Sequence, residues 1–395
     1  LFDALLPVEP VTLPRAFKQI STASPLLDPE PSMPLDDEAL VHACRRLLGT
    51  PCDAYPLLPR EDPETWRERS LRALYRLASR GSFSAPDALG GRLGDHVEAL
   101  LRDDLAPGLL HSPGRTRLLG ELLRNLERPG RVNQGLKGTC TVTCVETWIA
   151  ADQPGEYARL VAGLALGEGR VPLRDGSVLV RDEEQLDFSL REGRRSPASR
   201  LIQVAFMEYA YPNLDYRNAD DAQYEEEGGA TPGASCGAGV GSEAFEHLLQ
   251  GIDGQPWQTL TRTQSEAARL LASLGLDTSR VLTLGRHGLA ILQAALARRE
   301  PVFVTLDSPF TKDNPDIPEE DRVYYQLPHK VRALRIDADR VVYEDPLDPE
   351  EPWLPGIVTR VLDRQGHCAV GLDDFLAIIT EMNLRRSFLE GFVAA

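Results

Sequence analysis

Cysteine is scarce in this chain of 395 residues, with six in all: Cys44, Cys52, Cys140, Cys144, Cys236 and Cys368. That density excludes a disulfide scaffold and fits a reducing compartment. The spacing of Cys140 and Cys144 raises the question of a metal or redox pair. No second paired-cysteine or cysteine–histidine cluster completes a zinc site, so no metal and no cofactor are expected. Long apolar runs are missing too: nothing approaches the roughly 18 consecutive apolar residues of a membrane helix. Positive charge is in deficit, 43 Lys and Arg against 60 Asp and Glu, for a net charge of -17. Such a chain repels phosphate backbones, which argues against nucleic acid as its main partner. Internal repeats are absent, and the glycines near residue 240 lack the Gly-Lys-Ser/Thr that a nucleotide loop requires.

What is present is a globular composition, 42% hydrophobic and 26% charged, and enough length to bury a sizeable core. The chain opens on Leu1 rather than Met, so its natural N-terminus is expected to lie upstream. Residues 1–36 are rich in proline (LLPVEPVTLP, SPLLDPEPSMPLDD) and read as an extended arm. Residues 37–127 carry helical spacing, as in Leu71, Leu74, Tyr75 and Leu77, and again in Leu118, Leu119, Leu122, Leu123 and Leu126. Residues 1–127 are therefore expected to form an arm and a helical accessory domain, and residues 128–395 the functional domain.

Within the second part a helix is expected from about 140 to 152, a hairpin at 169–182 around Asp175-Gly176, and a buried helix at 199–210. Residues 213–227, with Glu225, Glu226 and Glu227, read as an acidic solvated loop, as do residues 314–321. Ser242 is expected to cap a helix. A helix at 287–299 and a strand from Pro301 follow, then Val331–Ile336 and Arg340–Glu344 as two strands joined at Asp337-Ala338-Asp339. Helices first and strands late imply an α+β fold.

The segment Asn133-Gln134-Gly135-Leu136-Lys137-Gly138-Thr139-Cys140 carries the strongest chemical signal. A thiol attacks as its thiolate, and an ordinary thiol with pKa near ~8.5 is mostly protonated at neutral pH. A helix N-terminus supplies partial positive charge and free N–H donors. Cys140, after two glycines and before a helical run, is expected in the first helical turn. Its own N–H and the side-chain amide of Gln134 would then converge on a developing oxyanion. A buried small hydrophobe is the plain alternative for such a cysteine. A base is needed, and of seven histidines His329 fits best. It heads one strand while Asp345 ends the next, and two strands joined by a tight turn bring those ends together. A carboxylate there fixes the imidazole tautomer and stabilises its cation.

The string Asn-Gln-Gly, two residues, Gly, one residue, Cys resembles the nucleophile segment of papain-like cysteine peptidases, and every fixed position of it matches. The resemblance departs at Thr141 and Val142, where families near papain carry a small residue and an aromatic. His329 followed by Asp345-Pro346 resembles the bacterial branches of that superfamily, where papain itself uses Asn. The likeness covers about residues 130–350. It implies a papain-like fold, with Cys140 as nucleophile, His329 as base, Asp345 as its orienting group and Gln134 in the oxyanion hole. By the same likeness Gly239 or Gly241 would offer backbone hydrogen bonds to an extended peptide. A flexible glycine loop is the alternative there.

Peptide-bond hydrolysis through an acyl-enzyme is thus the expected activity, on a protein or peptide substrate. A transglutaminase or glutamine deamidase with the same three residues is the alternative. A non-enzymatic binding module is disfavoured, since it would not need all four residues. Both a bacterial cytoplasmic enzyme and an exported effector or toxin fit the cysteine count.

Overall fold

The computed structural model describes residues 36–50, 62–110, 114–135, 137–183, 186, 195–212, 216, 221, 240–262, 283–307, 328–347, 359–360, 365 and 367–394. The proline-rich arm, most of the acidic segment 213–227, residues 314–321, Cys236 and Gly239 lie outside the described residues.

Four helices open the fold: α1 (Asp37–Leu48), α2 (Pro63–Ser79), α3 (Leu93–Arg102) and α4 (Gly114–Glu127). Local chemistry sets their starts. Asp36 accepts from the Ala39 N–H at 2.8 Å. Asp62 accepts from the N–H groups of Glu64 and Thr65 at 3.0 and 2.9 Å, with Pro63 at the first helical position. Then come α5 (Cys140–Asp152), α6 (Pro154–Ala165), the hairpin β1 (Arg170–Pro172) and β2 (Val178–Val180), α7 (Pro197–Ala210) and α8 (Ser242–Asp253). The expected hairpin is present, with Arg170 opposite Val180. Gly241 occupies the cap position of α8, and Ser242, expected there, is its first helical residue. The Ser242 hydroxyl instead donates to Glu381 at 2.6 Å.

One apolar core runs through these helices from Leu40 on α1 to Ile252 on α8. The expected boundary between 127 and 128 falls inside this core. α4 packs on both α2 and α7, and Leu118, Leu119, Leu122 and Leu123 are all buried. Each such side chain contributes about 1.5–3 kcal/mol by leaving water.

The rest is a seven-stranded antiparallel sheet in the order β3-β9-β4-β5-β6-β8-β7. Its strands are β3 (Trp257–Thr261), β4 (Val302–Leu306), β5 (His329–Asp337), β6 (Arg340–Glu344), β7 (Thr359–Arg360), β8 (Cys368–Gly371) and β9 (Ile379–Arg385). Three more helices, α9 (Leu284–Ala297), α10 (Leu372–Ile378) and α11 (Arg386–Ala394), accompany it. A second apolar core lies against this sheet, including Leu292, Val304, Val331, Val341, Tyr343 and Phe375. The architecture is α+β, with the helical part first and the sheet after it. Phe303 of β4 crosses into the helical core, edge-on to Trp148 at 5.7 Å and to Phe245 at 5.4 Å.

Candidate active site

α5 is an unlikely helix by propensity alone. Six of its positions, Thr141, Val142, Thr143, Val145, Thr147 and Ile149, are β-branched. Tertiary packing holds it: every side chain from Cys140 to Ala150 is buried, against α6, α7, α8 and β5. Thr143 and Thr147 turn their hydroxyls back onto the carbonyls of Thr139 and Thr143, at 2.8 and 2.9 Å. Cys140 is the first residue of this helix, as expected, and no side chain caps that end.

The loop before it is tightly tied. Gly135 has φ 65°, a left-handed conformation that favours glycine. The Asn133 side chain accepts from the Gly135 N–H at 2.6 Å. The Gln134 N–H donates to the Pro346 carbonyl at 2.9 Å, joining this loop to the turn that follows Asp345. The Gln134 side-chain amide donates to the Lys137 carbonyl at 2.8 Å. Its second amide hydrogen is left for another acceptor, since a primary amide carries two. Gly138 N–H is held by both carboxylate oxygens of Asp221, at 3.0 and 3.1 Å.

His329 begins β5 opposite Leu306 of β4. β5 and β6 form a hairpin whose turn residue Ala338 has φ 55°. Near the turn, Arg335 faces Val342, yet beyond it Ala333 faces Tyr343, so Leu334 is an extra, unpaired residue. This bulge sets the site. Continuing the register from Arg332 and Glu344 puts His329 across from Leu347, with Asp345 two positions along and on the same face. His329 Nε2 accordingly lies 2.7 Å from Asp345 Oδ1. The Leu347 N–H donates to the same oxygen at 3.0 Å.

His329 also hydrogen-bonds the Cys140 thiol. Since Nε2 is engaged by Asp345, Nδ1 is the nitrogen left for sulfur. Burial by itself pushes the Cys140 thiol up, but the hydrogen bond and charge of His329, joined by the Lys330 backbone N–H, hold it below the ordinary thiol value. Burial pulls His329 down, yet the Asp345 carboxylate and its hydrogen bond carry it up to about 10. The geometry thus favours a thiolate–imidazolium pair. Cys44 and Cys144 differ. Burial pushes Cys44 up to about 12, and Cys144 well above the ordinary value. Cys140 is 9% exposed where Cys44 and Cys368 are fully buried.

The structure therefore brings Cys140, His329 and Asp345 into one hydrogen-bonded chain and places Gln134 on the adjoining loop. Gly239 lies outside the described residues. Gly241 does not present a free N–H: that group donates to the Tyr211 hydroxyl at 2.6 Å, and its carbonyl accepts from the Phe245 N–H at 2.9 Å. The Gly241 N–H is thus engaged by Tyr211 and its carbonyl by the first turn of α8. No cluster of His, Cys, Asp or Glu able to hold a metal occurs among the described residues.

Asp221 and Lys330 are among the residues that escaped sequence reasoning. Asp221, read as part of a solvated acidic loop, is 1% exposed and accepts from the Tyr216 hydroxyl at 2.6 Å. Beside His329, the buried Lys330 reaches Asn383 at 2.9 Å and lies 4.9 Å above the Phe245 ring. Glu381 nearby accepts from Ser242 and from Thr305, at 2.6 and 2.9 Å. A separate cavity of about 580 Å³ lies at the other end of α5, between Asp152, Arg174, Arg332 and Arg385. The helix length sets it about 18 Å from Cys140.

No protein-family model, no curated protein and no solved structure matches this chain.

Proposed function

We propose that this protein is a cysteine peptidase of papain-like architecture, working through an acyl-enzyme on Cys140. The observation that carries the reading is the chain Cys140–His329–Asp345, with its depressed thiol and its histidine tied to a carboxylate at 2.7 Å. In this reading the Cys140 thiolate attacks the peptide carbonyl carbon, and the carbonyl π pair moves onto oxygen. The Cys140 N–H, at an uncapped helix start, and the Gln134 amide stabilise that oxyanion. The His329 imidazolium gives its proton to the departing amine as the C–N bond breaks. Water, deprotonated by His329, then releases the acid and restores the thiol. Asp345 keeps the ring oriented and its cation stable throughout.

The pair of terminal carboxylate and histidine also suits a transglutaminase or glutamine deamidase. The motif Asn133-Gln134-Gly135 leading to Cys140 favours hydrolysis of peptides. Incubation of the full chain with a mixed peptide library, followed by mass spectrometry, tests the two. New N-termini that vanish in Cys140→Ala support peptide hydrolysis. Release of ammonia with intact peptide backbones would replace it with the transferase reading.

A further inference from the structure

Behind the loop that carries Gln134 sits a buried polar chain that the proposed reaction does not use. At its centre is Gln203 of α7, fully buried. Its amide nitrogen donates to the Asn133 carbonyl at 3.1 Å and to Glu146 Oε2 at 2.8 Å. Its amide oxygen accepts from the Thr139 hydroxyl at 2.9 Å. The orientation of this amide is dictated by its partners, since a carbonyl and a carboxylate only accept and the hydroxyl can donate. One side chain therefore grips both ends of the loop between Asn133 and Thr139, the first residue before Gln134 and the last before Cys140. Glu146, one and a half turns into α5, anchors the grip and takes a second hydrogen bond from Tyr157 at 2.8 Å. Tyr157 is in turn held by Asn125 of α4, at 2.8 Å.

We propose that Gln203 is a positioning residue for the oxyanion-binding loop, fixing the Gln134 amide relative to the Cys140 sulfur. This rests on Cys140 as nucleophile and Gln134 as donor. The loop is a seven-residue excursion containing two glycines, so its shape depends on ties such as these, and among the described residues Gln203 alone joins its two ends. A donor must sit within hydrogen-bond range of the developing oxyanion to act, and misplacement by about 1 Å can cost ~10²-fold. Gln203 reaches neither the sulfur nor His329. Its removal therefore leaves the thiolate intact and harms only those reactions that build an oxyanion.

Two reagents separate these effects on the full chain. Iodoacetamide alkylates Cys140 by displacement at carbon and builds no oxyanion. p-Nitrophenyl acetate acylates it through a tetrahedral oxyanion, forming the C–S bond as p-nitrophenolate leaves with the C–O electron pair. In Gln203→Leu, acylation slows at least tenfold while alkylation stays within twofold of wild type. Thr139→Val, which removes a single hydrogen bond of the grip, shows the same split in smaller measure, and Thr139→Ser restores it. Should Gln203→Leu not fold, the Thr139 pair decides alone. Equal loss in both rates, or no loss in either, overturns the proposal. A wild-type Cys140 inert to both reagents sinks the nucleophile reading and this inference with it. Normal acylation without peptide cleavage removes only the peptidase reading.

Discussion

His329 and Asp345 meet at 2.7 Å because Leu334 stands out of register between β5 and β6. An antiparallel hairpin alternates its side chains with a period of two, so one extra residue decides which of them share a face. Deletion of Leu334 moves Asp345 off the face of His329. Alkylation of Cys140 at about pH 6 should slow at least tenfold in that variant, a shift of one pKa unit or more, with far-ultraviolet circular dichroism preserved. Leu334→Ala keeps the backbone count and should label within about twofold of wild type.

Asp345→Ala tests the carboxylate itself. With it gone, burial dominates at His329 and pulls the imidazole down from about 10. The Cys140 thiol then loses its cation and rises, so the labelling limb moves to higher pH. Stability follows the same linkage. A histidine raised in the folded state contributes stability that is complete below its ordinary value of 6.5 and is lost as pH rises toward about 10. The lowered Cys140 thiol works in the opposite direction below its ordinary value of 9.0, so urea midpoints in the wild type should fall chiefly from about pH 9 toward 10, and this fall should shrink in Asp345→Ala.

Glu121, in the helical core, accepts from the Trp66 indole at 2.7 Å and pairs with Arg117 at 3.0 Å, Arg124 at 3.2 Å and Arg131 at 3.0 Å. Burial opposes its charge, but the three guanidinium groups, Arg124 first, hold its carboxyl far below the usual range. A depressed carboxylate contributes stability above its unfolded pKa, lost as pH falls toward the folded one. Glu121→Leu should cost about 3–5 kcal/mol at neutral pH by leaving cations buried without their partner. The variant should also lose part of the acid sensitivity seen in wild-type denaturation between pH ~4.5 and lower values.

Phe303→Ala removes the ring that joins the two cores. The side chain is fully buried against Trp148, Trp257 and Phe245, so a loss of about 3–5 kcal/mol is expected from thermal or urea unfolding. Trp148 lies on the helix of Cys140, and β4 pairs with the strand of His329. The variant should therefore also label Cys140 more slowly, even where it remains folded.

The local parts of this site were readable from sequence. A glycine turn before a helical run announced Cys140, and a two-strand hairpin with His329 and Asp345 at its open end announced their contact. The bulge at Leu334 was not readable, since nothing in Ala333-Leu334-Arg335 marks an unpaired residue. Gln203 escaped because, within Leu201-Ile202-Gln203-Val204, it reads as one polar position on an apolar helix. Its partners lie up to 70 positions away in sequence. Asp221 was hidden by its acidic neighbours, whose charge suggested solvent while this one carboxylate is buried on Gly138. The sheet order was the least legible feature. β9, formed by residues 379–385, lies between β3 and β4, a pairing set by long-range packing and not by any local turn.

The most direct test of the central claim is alkylation of the native protein with iodoacetamide across pH, with the labelled cysteine located by peptide mass mapping. The account predicts fast, selective labelling of Cys140 below pH ~7, slowed at least tenfold in His329→Ala, while Cys44 and Cys144 stay unlabelled. Labelling of Cys140 that rises only near the ordinary thiol value, and is indifferent to His329→Ala, would contradict it.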